Sequence, residues 1–192
     1  MDIFITVIAI SIFVALCLAT IYIIFLFINS KGFKISPTVA SSRKSIKKIA
    51  DYIKSYNDKN LKQINLKILD IGSGYGHLLF GLNKLLGKNN VFVGYEISKF
   101  SYAISKFFNK NDNIFLINDD IQNVQDADFD FVVSFLLSKQ QKSLINLYKK
   151  FPSGTIILAN SNDIPFRPND GFILIDKIRV HLGWSIFAYK KI

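Results

Sequence analysis

"LDIGSGYGHLLFGLNKLLG", residues Leu69–Gly87, is the stretch on which the fold turns. An apolar run ends in Asp70-Ile71, glycines follow at the alternate positions 72, 74 and 76, and from His77 to Leu86 apolar residues recur at helical spacing. Strand, glycine turn and helix form the unit from which sheets covered by helices on both faces are built. Three missing Cβ atoms let the turn adopt backbone conformations closed to other residues and let a ligand come close to the main chain. In an open α/β sheet such a ligand sits beyond the carboxyl ends of the strands.

Downstream the alternation continues. Strands are predicted over Leu66–Ile71, Val91–Glu96, Ile114–Ile117, Phe129–Phe135 and Thr155–Ala159, with helices over His77–Leu86, Lys99–Phe108 and Gln140–Phe151. Two extended runs, Phe172–Val180 and Trp184–Tyr189, have no helix between them and read as a closing antiparallel hairpin. The expected fold is α/β: a Rossmann-like sheet of seven strands, its parallel part covered on both faces and closed by a C-terminal antiparallel hairpin.

Upstream, Ser41 or Ser42 caps a helix whose apolar stripe is Ile46, Ile49, Ala50 and Ile53. The connector "NSKGFKISPTVAS" before it carries the helix breakers Gly32 and Pro37. Ahead of that, Ile3–Ile28 carries no charge and is interrupted only by Thr6, Ser11 and Thr20. As a helix it is roughly 39 Å long, enough for a bilayer core of about 30 Å. Asp2 in place of a basic leader, and the length of the run, favour an uncleaved single-pass anchor over a signal peptide. Lys31, Lys34, Arg43, Lys44, Lys47 and Lys48 follow closely, so the positive-inside rule puts the globular part on the cytoplasmic or an equivalent face. The expected organisation is an anchor over 1–30, a connector with one helix over 31–65, and a catalytic domain over 66–192.

Composition narrows the chemistry. The chain has 192 residues and a net charge of +10, but it shows no zinc-knuckle spacing and no RNA-binding signature, so a nucleic-acid partner is not expected. Cys17 is the one cysteine, which excludes an intramolecular disulfide, and with only His77 and His181 besides, no metal site is expected. Nicotinamide, flavin and S-adenosylmethionine folds all use a glycine turn. The dinucleotide fingerprint places its third glycine three residues after the second, whereas here the gap is two. No Gly-Lys-Ser/Thr follows, which removes the phosphate-loop reading.

From Leu66 to the C-terminus the chain resembles the class I S-adenosylmethionine-dependent methyltransferases. Their first motif, an acid followed by alternating glycines, appears as Asp70-Ile-Gly72-Ser73-Gly74-Tyr-Gly76, and their acid ending the second strand as Glu96 in "VGYEIS". The resemblance implies that S-adenosyl-L-methionine is the cofactor and that Glu96 accepts hydrogen bonds from both ribose hydroxyls. It also implies an acid beside the adenine amine, for which "INDDI" offers Asp120, the favoured candidate, and Asp119. A narrower likeness, carried by "SPTVASSRKSIKKIADYI", "VVSFLLSKQQKSLINLYKKF", "SGTIILANSNDIPF" and "WSIFAYK", is to the ATP synthase c-subunit lysine methyltransferases and their bacterial relatives. It implies a lysine of a membrane-associated protein as acceptor, in an apolar slot at Ser134, Phe135 and Leu136. Such a slot disfavours the ammonium form of the acceptor amine. A small or lipid-like acceptor is the alternative, and a non-catalytic module on the same fold is a third reading. Asn160, Ser161, Asn162 and Asp163 follow the fifth strand on the ligand side, and Thr38, Ser41 and Ser42 are candidates for a lid.

Overall fold

The computed structural model describes residues 2–30, 41–181 and 183–192. Lys31, Lys34 and Thr38, to which the sequence assigns roles in orientation and in a lid, lie outside them. The chain divides into two compact units, Met1–Pro37 and Thr38–Ile192. The first contains helix α1, Asp2–Ser30. Its segment Phe4–Phe25 is long and apolar enough to cross a membrane, a property that an N-terminal signal sequence shares.

The second unit is a seven-stranded sheet in the order β3-β2-β1-β4-β5-β7-β6. Strands β1 (Lys67–Ile71), β2 (Val91–Tyr95), β3 (Ile114–Ile117), β4 (Phe131–Ser134) and β5 (Ile156–Asn160) are parallel. Strands β6 (Phe172–His181) and β7 (Trp184–Lys191) form the expected hairpin, and β7 pairs antiparallel with β5. The central strands β1, β4 and β5 are almost entirely buried, as strands covered on both faces must be. On one face Ile68, Phe131, Val133, Ile156 and Leu158 meet helices α2 (Arg43–Tyr56) and α3 (His77–Leu86) through Ile49, Ile53, Leu79 and Leu82. The other face packs Leu69, Ile71, Val132, Ile157 and Ala159 against Leu144, Leu147, Tyr148 and Phe151. Helix α4, Lys99–Phe108, connects β2 to β3.

Helix α2 starts at Ser42, whose hydroxyl accepts from the Ser45 amide at 3.1 Å. The capping serine is therefore committed to its own helix. The single helix expected over Gln140–Phe151 is instead two short ones, α5 (Ser138–Ser143) and α6 (Ile145–Tyr148). They break at Leu144, which leaves helical geometry (φ −98°, ψ 5°) and sinks into the core. Helical periodicity alone does not register such a break, because the buried residues on either side still fall on one stripe.

Three departures from regular pairing shape the C-terminal edge. Strand β6 carries a bulge: Leu174 pairs with Tyr189 but Asp176 with Ala188, so Ile175 is an extra residue, and a second shift separates the pairs Arg179 with Ser185 and His181 with Trp184. The hairpin also reaches beyond β5, whose last pair is Asn160 with Ile186; past it the Ser161 amide still donates to the Ser185 carbonyl at 3.0 Å. The strand order reverses between β1 and β4, which opens a crevice at the carboxyl edge.

Candidate active site

The glycine turn is fastened to the end of β2. The amides of Gly72 and Ser73 both donate to the Tyr95 carbonyl (3.0 and 2.9 Å), and the Gly74 amide donates to Glu96 Oε2 at 2.8 Å. Gly72, Gly74 and Gly76 have φ of 76°, 55° and 80°, the left-handed region in which a side chain is strained. Sequence reasoning passed over a further glycine. A Cβ on Gly94, inside β2, would lie 2.6 Å from Leu79 Cδ1 and 2.8 Å from Ser73 Oγ, so this position must be bare for the turn and α3 to seat on the strand. The available signal was a glycine within an apolar strand, which marks close approach of another element.

Two carboxylates stand under the turn. Asp70 is 3% and Glu96 7% exposed, and no lysine, arginine or histidine among the described residues forms an ion pair with either. Glu96 Oε1 accepts from the Ser98 amide at 2.7 Å, and the Asn118 side chain fixes the Glu96 carbonyl at 2.7 Å. Asn118 is a positioning residue that the sequence did not single out. Burial, reinforced by repulsion from Glu96, pushes the Asp70 carboxyl up to about 8. A buried acidic pair without a counter-charge suits a ligand that brings positive charge, and S-adenosylmethionine brings both a sulfonium and an ammonium. The Ser73 hydroxyl lies buried within the turn with no hydrogen-bond partner, a second polar group left for a ligand.

At the far end of β3, Asp119 Oδ1 accepts from the Asp120 amide (2.7 Å) and from Asn123 Nδ2 (2.8 Å). Asp120 caps a short 3-10 turn over Ile121–Asn123 through a 3.0 Å bond from the Gln122 amide. Asp120 is half-buried and Asp119 exposed.

Beyond β4 the character changes from acidic and main-chain to aromatic and amide. Ser134 is fully buried: Gln141 Nε2 donates to its hydroxyl at 3.0 Å, and the Tyr148 hydroxyl donates to Gln141 Oε1 at 2.6 Å. Ser134 thus faces the α5–α6 layer, and burial carries the Tyr148 phenol well above its ordinary range. Leu136 packs toward the glycine turn and Phe135 toward the hairpin. Phe135 lies against Trp184 at 5.4 Å between ring centres, and Leu136 Cδ2 stands 3.4 Å from where a Gly72 Cβ would be. Asn162 Nδ2 donates to the Leu136 carbonyl at 2.9 Å, and Trp184 Nε1 to Asn160 Oδ1 at 3.0 Å. Asn160 is fully buried, and its Nδ2 has no partner. Asp163 takes the Tyr189 hydroxyl, and His77 opens α3 with its ring against Tyr75. The structure therefore brings Asp70, Gly72, Ser73, Gly74, Gly76 and Glu96 together, sets Leu136 beside Gly72 and Phe135 against Trp184, and turns Ser134 away.

Residues 62–168, more than half of the chain, match the family described as "Methyltransferase domain". The chain belongs to this methyltransferase family. No curated protein matches its sequence. Solved structures share the fold of this methyltransferase at low identity. An RNA methyltransferase from Salinibacter ruber, in complex with S-adenosyl-L-homocysteine, is 16% identical over 81% of this chain and 94% of its own, with a TM-score of 0.62. The ribosomal protein L11 methylase of Lactobacillus delbrueckii subsp. bulgaricus is 20% identical over 82% and 83%, with a TM-score of 0.59. A magnesium protoporphyrin IX methyltransferase from Synechocystis with bound S-adenosylmethionine is 14% identical over 78% and 79%, with a TM-score of 0.57. Family and fold make the chain a class I, S-adenosylmethionine-dependent methyltransferase, and neither comparison reaches the narrower likeness to c-subunit lysine methyltransferases.

Proposed function

We propose that this methyltransferase holds S-adenosylmethionine on Asp70, Gly72, Ser73, Gly74, Gly76 and Glu96 and methylates an acceptor that enters beside Phe135, Leu136 and Trp184. The observation that carries the donor site is the buried pair Asp70 and Glu96, with which no cation among the described residues forms an ion pair. The bound donor supplies an activated methyl group, so the chain's task is to align the acceptor and keep water out. Glu96 retains lone pairs on both oxygens for ribose hydroxyls, and Asp120 or Asp119 faces the adenine amine. Phe135, Leu136 and Trp184 form an apolar wall that favours a neutral nucleophile. Ser134 is hydrogen-bonded to Gln141 on the opposite face and does not touch the acceptor. Calorimetry tests the donor site: loss of charge-assisted bonds in Glu96→Ala weakens donor binding tenfold or more, at about 1.5–3 kcal/mol per bond. Unchanged affinity removes Glu96 from the site.

In the same reading α1 tethers the domain to a bilayer with the catalytic face cytoplasmic, so that acceptors in or on that membrane are met at high local concentration. Two acceptor classes fit such a setting. A lysine of a membrane-associated protein is what the narrower sequence likeness implies. A small or lipid-like molecule is favoured by one structural observation, the cluster of Lys177, Arg179 and His181 around a cavity beyond β5, which repels a cationic side chain. Membranes incubated with radiolabelled donor and the full-length enzyme separate the two: label in protein supports the lysine acceptor, and lipid-extractable or soluble label supports the other.

A further inference from the structure

On the sheet face opposite α2, the overhanging hairpin and the end of β5 form an open cavity of about 450 Å³ lined by Ser161, Lys177, Arg179, His181, Ser185 and Phe187. Three of these side chains are basic, none of the cavity's lining residues is acidic, and no ion pair among the described residues engages Lys177 or Arg179. Pairing places the two cations side by side: Lys177 lies opposite Phe187 and Arg179 opposite Ser185. Lys177 Nζ stands 5.1 Å above the Phe187 ring, which holds the ammonium at the cavity wall. Hydroxyls of Ser161 and Ser185 complete a lining of donors around a positive centre. Ser161 has φ 80°, a conformation rare for a residue with a side chain, and it is kept there by the hydrogen bond that its amide donates to the Ser185 carbonyl. Strain of this kind collects at binding sites.

The cavity belongs to the acceptor half of the carboxyl edge. Ser161 directly follows Asn160, which is bonded to Trp184, and Trp184 touches both Phe135 of the acceptor wall and His181 of the cavity, at 5.4 and 5.3 Å between ring centres. An acceptor lying against that wall would carry its distal group into the basic cavity.

We propose that this cavity is an oxyanion site that takes a phosphate group carried by the methyl acceptor, whether a soluble phosphate ester or a lipid headgroup. The proposal rests on the reading of the chain as a methyltransferase with its acceptor beside Phe135. A guanidinium presents paired donors that match phosphate oxygens, which makes Arg179 the main determinant and Lys177 a supporting charge.

Trp184 is the only tryptophan of the chain and borders the site through His181, so its fluorescence reports occupancy. The full-length protein in neutral detergent is titrated with inorganic phosphate and with glycerol 3-phosphate at constant ionic strength, chloride serving as control. In a second arm the protein is mixed with phosphatidylcholine vesicles with or without phosphatidylglycerol. The expected result is a saturable change with the phosphate esters, with phosphatidylglycerol vesicles, or with both, which identifies the source. Arg179→Gln should weaken it at least tenfold and Lys177→Gln less. Both positions are exposed, and donor affinity measured by calorimetry should stay the same in both variants. Absence of saturation in every arm of the wild type, or equal affinity in Arg179→Gln, overturns the proposal. Tighter, Arg179-dependent binding of an oligoribonucleotide overturns it in favour of nucleic acid. Failure of the wild type to bind donor would instead strike the methyltransferase site and leave the phosphate result intact.

Discussion

The two halves of the carboxyl edge are built from different materials. On the β1–β3 side, main-chain amides, left-handed glycines and two buried carboxylates make a rigid, negative cradle from residues 70–76 and 94–96. On the β4–β7 side the site is assembled from side chains far apart in sequence, namely Phe135, Leu136, Asn160, Asn162 and Trp184, with cations at its margin. Each half leaves one buried polar atom without a partner, Ser73 Oγ on the first and Asn160 Nδ2 on the second. In the proposed division, a donor common to many enzymes is met by backbone, whose geometry tolerates few changes, and an acceptor peculiar to one enzyme by side chains, which can be exchanged singly.

The division is broken most severely at Gly74. Gly74→Val forces a branched side chain into φ 55° at the point where the amide meets Glu96, so donor binding should fall more than about a hundredfold, and circular dichroism should show the sheet intact. Retained binding would mean that the glycines serve the turn alone.

Next in size is a pH effect confined to the acidic half. The folded-state pKa of Asp70, about 8, exceeds that of an unfolded aspartate, so between roughly pH 4 and that value the folded state holds a proton that the unfolded state has lost. Stability is therefore greatest at the acidic end of this window and declines as pH rises through it, by up to about 1.4 kcal/mol per pH unit. Denaturant titrations across the window should show Asp70→Asn flattening this slope. An unaltered slope would place the titration elsewhere.

Trp184→Ala sharpens the comparison from the other side. Turnover of a membrane acceptor should drop about tenfold through loss of the wall, while donor affinity measured by calorimetry changes less than about twofold. A parallel loss of donor affinity would erase the distinction between the halves. The smallest effect belongs to Tyr148→Phe, which removes one donor from the Ser134–Gln141–Tyr148 network and should lower stability by about 1–2 kcal/mol in chemical denaturation. Donor affinity should be unmoved by that change.

The same division explains what could be read in the sequence. Asp70, Gly72, Gly74, Gly76 and Glu96 sit at strand ends within one βαβ unit, so the glycine spacing marked the turn and the resemblance to class I methyltransferases singled out the two acids. Helices α3 and α4 and strand β3 begin and end where periodicity and flanking breakers put them. Ser134 is at the right strand end but, one residue before Phe135, points to the opposite face, a matter of register that composition does not carry. Gly94 and Asn118 matter through what packs on them or bonds to them from other strands. The proposed acceptor wall depends on Trp184 meeting Phe135 across β5, a contact between residues forty-nine positions apart that no local pattern announces.

The bulge at Ile175 has a consequence for how this edge can change. Side chains alternate along a strand, so the one extra residue inverts the phase of β6 from there to the second register shift, between Arg179 and His181. With it, Ile178 and Val180 join the apolar layer that holds α2, and Lys177 and Arg179 point to the opposite side. Removal of a single residue there would exchange the two sets, carrying the cations to the α2 layer and the aliphatic side chains to the cavity. The electrostatic sign of this surface is thus a matter of counting: a one-residue deletion could reverse it without replacing any charged residue.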